Sequence, residues 1–356
     1  MVYYITDMTK KILVINPFGI GDVLFSTPLI TAIKEKYPLS YIAYICNIRA
    51  REAIETNPDI ADIFVFERDE YRRLWKSSKL ACIRKFLSFW KDIRNKGFDI
   101  AIDLSMGKEY SFLCWFVGIK ERRGLDYKKR GKFLTHKVFI KGFTDKPVAD
   151  YFLDVVGIHK RFPTVLIPKN YDIEYIDDFL RNNGLQQGAI IGIAPGGGAA
   201  FGKNKAYYKR WPWQHFSDLA SALIEKDLKP VLLWGPGEEA LILNIKRSVG
   251  NGIIAAPITS IRQMACLMKR CRLVICNDGG MLHIAVSQGI PTISIFGPTD
   301  ETVYGPYPPD KKHIVIKSNV NCRPCYKFFR LPDCDDRKCM TDISVQDVLT
   351  KLKEIK

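Results

Sequence analysis

The chain has 356 residues, 47% of them hydrophobic, and a formal net charge of +16 at pH 7. That length suits two domains with ordinary cores, and no apolar run approaches the roughly 18–20 residues of a membrane span. Such a charge calls for a polyanionic partner: nucleic acid, a phosphorylated substrate or an anionic membrane face. No recognised nucleic-acid motif accompanies it.

Residues 1–11 are polar and include an acid, unlike a signal peptide, so the expected compartment is the cytoplasm. A first strand is expected over 11–15, closed by Asn16-Pro17-Phe18-Gly19-Ile20-Gly21-Asp22, with a helix over 23–37 that Pro38 ends. Gly-x-Gly after a first strand suggests a dinucleotide site. Here Leu24 takes the place of the third glycine, and Asp22 follows the second, where a phosphate would be repelled. A carboxylate at a strand end beside a helix N-terminus suits proton abstraction. As a structural alternative, Asp22 serves as a helix cap.

Further strands are expected over 41–46 and 63–66. From 68 to 96 basic residues interleave with Leu80, Ile83, Phe86, Leu87, Trp90 and Ile93 at helical spacing, which predicts one long amphipathic surface helix. Its basic face also suits anionic lipid. A strand over 98–104 carries Asp103 near its end, and a second basic cluster follows at Lys120-Glu121-Arg122-Arg123-Gly124 and 128–132. The loop-like, proline-containing stretch 162–170 marks a domain boundary, giving 1–170 and 171–340.

The second domain opens with a helix over 174–183, then a strand over 189–195 that runs into the glycine-rich stretch 196–202. Lys209-Arg210-Trp211-Pro212 precedes a helix over 213–225, and a strand over 230–234 delivers Gly235-Pro236-Gly237-Glu238-Glu239. A short strand is expected over 252–256, and residues 273–300 read as strand, turn, helix, strand, turn: 273–276 is apolar, Asp278-Gly279-Gly280 breaks it, 281–287 has helical spacing, and 292–296 is a second buried strand. The glycines let a ligand approach the backbone, and the first helical turn offers free N–H groups and the positive end of its dipole, which makes an anion site. His283 stands one turn further on. A tight turn without a ligand is the structural alternative. Loops leaving the carboxyl ends of strands in one sheet should ring a single site.

Six of the ten cysteines lie in apolar or helical stretches as small buried hydrophobes. Cys322, Cys325, Cys334 and Cys339 form C-x2-C-x8-C-x4-C, a set of thiols for a structural zinc or, alternatively, reduced or disulfide-paired loop cysteines. A last helix is expected over 345–353, within 341–356.

Taken together, several of these segments resemble glycosyltransferase family nine, which contains the lipopolysaccharide core heptosyltransferases. They are Gly21-Asp22-Val23-Leu24 with Thr27-Pro28-Leu29, Phe98-Asp99 with Asp103-Leu104, Arg122-Arg123-Gly124, Ala194-Pro195-Gly196 with Lys209-Arg210-Trp211-Pro212, Asp278 to His283 with Phe296-Gly297-Pro298-Thr299, and the loop from Cys322 to Met340. The resemblance covers nearly the whole length. It implies an α/β chain of GT-B architecture, two Rossmann-like doubly wound domains facing across a cleft, with the acceptor on the first and an ADP-sugar on the second. It also implies an inverting, metal-independent transfer of heptose or a related sugar to a lipopolysaccharide core or other glycolipid, without a cofactor. Peripheral contact with the inner membrane face would follow.

By position, the resemblance makes Asp22 the general base, sets Lys209 against the leaving diphosphate and gives Glu238 or Glu239 the donor ribose. Gly196, Gly197, Asp278, Gly279, Gly280 and His283 would line the donor site, while Gly21, Asp103, Arg122 and Arg123 would join Asp22 on the acceptor side. Gly279 departs from the family, which often carries a hydroxyl residue there, and the loop from Gly196 to Tyr208 is longer than usual. A different nucleotide sugar is therefore the alternative donor. A Rossmann oxidoreductase would need the full G-x-G-x-x-G and a later acid, and a nucleic-acid binder would rest on charge alone.

Overall fold

The computed structural model of the protein describes residues 9–198 and 206–355. The expectations for the polar N-terminus and for residues 199–202 of the glycine-rich stretch lie outside the described residues.

Two compact units divide the chain. Unit 1 holds β1 (Lys11–Ile15), β2 (Tyr41–Cys46), β3 (Asp62–Val65), β4 (Ile100–Asp103), β5 (Glu121–Tyr127) and β6 (His136–Ile140), all parallel, in the order β3-β2-β1-β4-β5-β6. Unit 2 holds β7 (Ile190–Ala194), β8 (Lys229–Leu232), β9 (Ile254–Ala255), β10 (Leu273–Asn277), β11 (Thr292–Phe296) and β12 (His313–Lys317), again parallel, in the order β12-β11-β10-β7-β8-β9. Each sheet is wound outward in both directions from a switch point, between β1 and β4 in one unit and β7 and β10 in the other. The apolar strands β7 and β10 are buried along their whole length, as a parallel sheet covered on both faces requires.

In unit 1 the helices are α1 (Ile20–Lys36), α2 (Ile48–Arg51), α3 (Arg68–Ser77), α4 (Lys79–Lys96), α5 (Glu109–Phe116) and α6 (Val148–Asp154). Unit 2 has α7 (Asn170–Asn182), α8 (Trp213–Ile224), α9 (Glu239–Val249), α10 (Ile261–Arg270), α11 (Gly280–Ser287), α12 (Glu301–Tyr304), α13 (Lys338–Thr341) and α14 (Val345–Leu352). Among the described residues no helix is long and apolar enough to cross a membrane.

The division falls at Thr164, ahead of residue 171, and Phe143–Pro147 also belong to unit 2. Side chains decide this. Phe143 packs edge-on against Phe329 at 5.2 Å, and Gln288 Nε2 donates to the Leu166 carbonyl at 2.9 Å. The last helix, α14, adds Val348 to the core of unit 2.

The long helix expected over 68–96 is two helices. Ser78 takes an extended conformation, φ −156° and ψ 104°, and its hydroxyl accepts from Ala81 N at 3.3 Å, so it ends α3 and caps α4. The inward stripe of α4 is the buried Cys82, Trp90 and Ile93 with the half-buried Phe86 and Phe89, which leaves Leu80, Ile83 and Leu87 exposed. Strands β5, β6 and β12 carry too many charged or exposed residues to read as core strands, and β6 and β12 close the edges of their sheets.

Candidate active site

In unit 2 the carboxyl ends of β7 and β10 lie side by side at the switch point. Asn277, the last residue of β10, holds them together. Its Nδ2 donates to the carbonyls of Pro195 and Gly196 at 2.8 and 3.1 Å, and its Oδ1 accepts from Trp211 N at 3.0 Å. This one amide fastens the glycine turn after β7 and the segment after Lys209 to the strand that leads into Asp278.

Lys209 ends a short 3-10 turn, Ala206–Lys209, and reaches Asp278 with Nζ to Oδ2 at 2.6 Å. Both side chains are buried. The same Oδ2 accepts from Thr299 Oγ1 at 2.5 Å, so the carboxylate is held by a cation and a hydroxyl. His283, on the second turn of α11, is also buried; burial lowers its pKa to about 4, with Asp278 opposing and Lys209 adding to the fall. At neutral pH it is an uncharged imidazole.

Gly279 and Gly280 start α11, whose first N–H groups have no helical acceptors. A β-carbon on Gly279 would meet the Gly197 carbonyl at 3.5 Å, an ordinary contact, so the two glycine turns face one another with room between them. Gly196 has no such freedom. A β-carbon there would stand 1.8 Å from Glu238 Oε1, because the buried Glu238 folds back to accept from Gly235 N at 3.0 Å. Glu239 is exposed and accepts from Gly237 N at 3.1 Å; its own backbone N–H, and then that of Gly237, hold its pKa low. Gly196, Gly197, Lys209, Glu238, Asp278, Gly279, Gly280 and His283 thus gather at one end of one sheet, with Glu239 at its margin.

The loop of late cysteines braces this end from behind. Arg323 donates to the carbonyls of Gly297 and Thr299 at 2.6 and 3.2 Å, Tyr326 N to Pro298 O at 2.9 Å, and Cys334 N to Tyr208 Oη at 3.2 Å. Burial raises the Cys339 thiol to about 11, with Cys325, Cys322 and Cys334 adding to it. They are free thiols, and among the described residues no three His, Cys, Asp or Glu side chains are placed to hold a metal ion. Cys322 is exposed, Cys325 and Cys334 are half-buried and Cys339 is buried.

In unit 1, Gly21 and Asp22 lie in the first turn of α1, where Asn16 Nδ2 donates to the Asp22 carbonyl at 3.0 Å. Asp103 ends β4, opposite Ile15 of β1, and is buried. Its Oδ1 accepts from Ser105 N at 2.9 Å, whereas Oδ2 has no hydrogen-bond partner, and burial raises its pKa to about 6. The Tyr110 hydroxyl nearby is also buried without a hydrogen bond, beneath Arg68, whose guanidinium carbon lies 5.9 Å from the ring centroid. Arg122 and Arg123 sit inside β5, level with Ala101 and Ile102 and not at the rim. The Arg122 guanidinium serves the carbonyls of Phe133 at 2.6 Å, Lys120 at 2.9 Å and Ile119, while Arg123 pairs with Glu121 at 2.5 Å. The sequence pattern did not single out Asn277 or Thr299, which hold this end of the sheet together; for Asn277 the available signal was a polar residue ending a buried strand, which needs a partner.

The family model described as Glycosyltransferase family 9 (heptosyltransferase) matches residues 86–330. The chain is 25% identical over 331 residues to the lipooligosaccharide heptosyltransferase 2 of Haemophilus ducreyi, covering 86% of this chain and 88% of that protein. Its fold is similar to the crystal structure of a glycosyl transferase family 9 protein from Veillonella parvula, with TM-score 0.81, 22% identity and 97% of each chain covered. It is also similar to an E. coli heptosyltransferase solved with ADP-2-deoxy-2-fluoro heptose, with TM-score 0.69, 17% identity, and 97% and 99% covered. With the family match spanning well over half its length and both sheets in the order of doubly wound units, the chain belongs to glycosyltransferase family 9, the heptosyltransferases, and is a transferase of the GT-B fold.

Proposed function

We propose that the protein transfers a heptose or related sugar, with inversion and without a metal ion, from an ADP-sugar to a lipopolysaccharide core or other glycolipid acceptor. The observation that carries this reading is the buried Lys209–Asp278 pair beside the glycine turn that opens α11. A sugar nucleotide leaves as a diphosphate, and one lysine with a row of free N–H groups can meet that developing charge without a divalent cation. Asp278 then sets the position of the lysine, and neutral His283 adds no competing charge. Of the two acids after β8, Glu238 shapes the turn around Gly196 and Glu239 is open to the ribose. The ADP-sugar class is supported by the E. coli relative solved with an ADP-heptose analogue.

On the acceptor side Asp22 is the general base, with Gly21 in the same first turn of α1, Asp103 at the end of β4, and Arg122 and Arg123 stiffening β5. Inversion by direct displacement needs only the one carboxylate, since no covalent intermediate forms. The high positive charge then serves an anionic glycolipid at the inner membrane face, from the cytoplasm, and not nucleic acid. A second donor reading, another nucleotide sugar, is favoured by Gly279, which has room for a side chain and lacks one to contact phosphate.

A thermal-shift screen of nucleotide sugars tests the donor, because saturating ligand stabilises the fold by a few kcal/mol; ADP-heptose giving no shift while another sugar nucleotide does would transfer the assignment. Asp22→Asn is expected to cut turnover by about a hundredfold or more with ADP affinity kept. Normal turnover by that variant would remove Asp22 from the role, and activity lost to EDTA and restored by a divalent ion would overturn the metal-free mechanism.

A further inference from the structure

α4 and α5 cover the same face of the unit 1 sheet, because Trp90 and Ile93 of one and Tyr110 and Cys114 of the other pack into one core with Leu13, Ile15 and Ala101. Their opposite sides therefore point off that face together. On α4 the outward stripe runs Leu80, Arg84, Leu87, Lys91 and Arg94, spaced by three and four residues. Leu80 is 68% exposed and Leu87 57%, and Ile83 beside them is exposed too. On α5, Trp115 is 51% and Phe116 67% exposed, and their ring neighbours are aromatic: Phe112 lies 5.8 Å from Trp115 and 6.4 Å from Phe116, and Phe133 lies 5.7 Å from Trp115.

Isolated exposed leucines need no explanation, but leucine, tryptophan and phenylalanine gathered on one face do. The charge around them says what covers it. α4 carries six basic residues against the single acid Asp92. A second copy of this chain docking the same face would set that basic surface against itself. An anionic bilayer offers the complement, with acyl chains for the apolar tips and phosphates for the cations between them.

We propose that the outer face of α4 and α5 is a membrane-docking surface, with Leu80, Leu87, Trp115 and Phe116 entering the headgroup layer of an anionic bilayer while the basic residues of α4 meet its phosphates. The inference rests on the reading of the acceptor as a glycolipid for its purpose, and goes beyond it in naming apolar insertion, not charge alone, as the source of affinity.

The test uses the full chain with vesicles of phosphatidylcholine alone and of phosphatidylcholine mixed with phosphatidylglycerol. The protein should co-sediment with the anionic vesicles only, and phosphatidylglycerol vesicles brominated along the acyl chain should quench its tryptophan emission. The variant Leu80→Ser/Leu87→Ser/Trp115→Ser/Phe116→Ser should bind at least about tenfold more weakly while still unfolding cooperatively in urea, with a lowered midpoint. Equal binding by that variant, or binding without acyl-chain quenching, overturns insertion in favour of charge alone. A dimer of the wild type in sedimentation velocity that the variant abolishes overturns it in favour of a second copy. Vesicle binding needs no turnover, so failure to glycosylate a lipid acceptor would strike the proposed function while leaving the docking result readable.

Discussion

Lys209 and Asp278 lie far apart in sequence and meet through a 2.6 Å ion pair with both side chains buried. Taking two charges out of water is costly, so such a pair persists only with good geometry and further hydrogen bonds, here from Thr299. Removing one partner strands the other. Lys209→Met and Asp278→Asn should each destabilise unit 2 by about 3–5 kcal/mol, and the double variant should lose clearly less than the sum. Urea melts in a double-mutant cycle measure this, and strict additivity would mean that the pair is not coupled. In the same proteins ADP affinity should fall most where Lys209 is lost.

The glycines of the site are not equivalent. Gly196→Ala must push Glu238 off Gly235 N, at about 1–3 kcal/mol for the overpacking. Gly196→Ala/Glu238→Ala should recover most of that loss, because the obstructing carboxylate is gone. By contrast Gly279→Ser meets nothing closer than 3.5 Å and should fold normally, with ADP bound as tightly or more tightly through the added hydroxyl. Thermal melts with and without ADP compare the three.

His283 makes the fold sensitive to acid. Below its ordinary 6.5 the unfolded chain binds a proton that folded His283 refuses until about pH 4, so its share of stability is whole above 6.5 and lost as pH falls through that interval. At about 1.4 kcal/mol per tenfold in proton affinity, the loss is on the order of 3 kcal/mol. His313, lowered to about 4 mainly by burial, acts in the same direction. His283→Gln should flatten the acid limb of a stability profile between pH 6.5 and 4, and an unchanged limb would mean that His283 titrates normally.

Asp103 works the other way. Its carboxyl is raised from 3.8 to about 6, so between those values the folded chain keeps a proton that the unfolded chain releases, and acidification through this window adds stability. Asp103→Asn removes the dependence. Relative to wild type the variant should gain with rising pH, the difference between pH 4 and pH 8 reaching on the order of 3 kcal/mol. Urea melts at the two pH values check it; a pH-independent difference would place the Asp103 charge elsewhere.

The local pattern of the chain determined much of this protein. Alternation of short apolar runs with glycine turns and helical stretches was enough to read β1, β7, β10 and β11, the helices after them and the glycine turn at Gly279–Gly280, because a strand buried on both faces and a helix start leave their mark in a few consecutive residues. Asp22, Asp278 and His283 stand beside turns that their neighbours predict, whereas the role expected of Lys209 came from the resemblance to the family. What tertiary structure decided are relationships between distant segments. Asn277 tying the turn after β7 to Trp211, Lys209 meeting Asp278, and Arg122 turned inward onto the carbonyls of Phe133 and Lys120 depend on which strand ends lie side by side. The same holds for exposure: Leu80 and Phe86 look alike in the helical pattern of 79–96, but only the sheet beneath α4 settles which is covered. Periodicity reports that a helix has an apolar side, while burial is set by the partner that arrives there, and the partner is chosen by the whole fold.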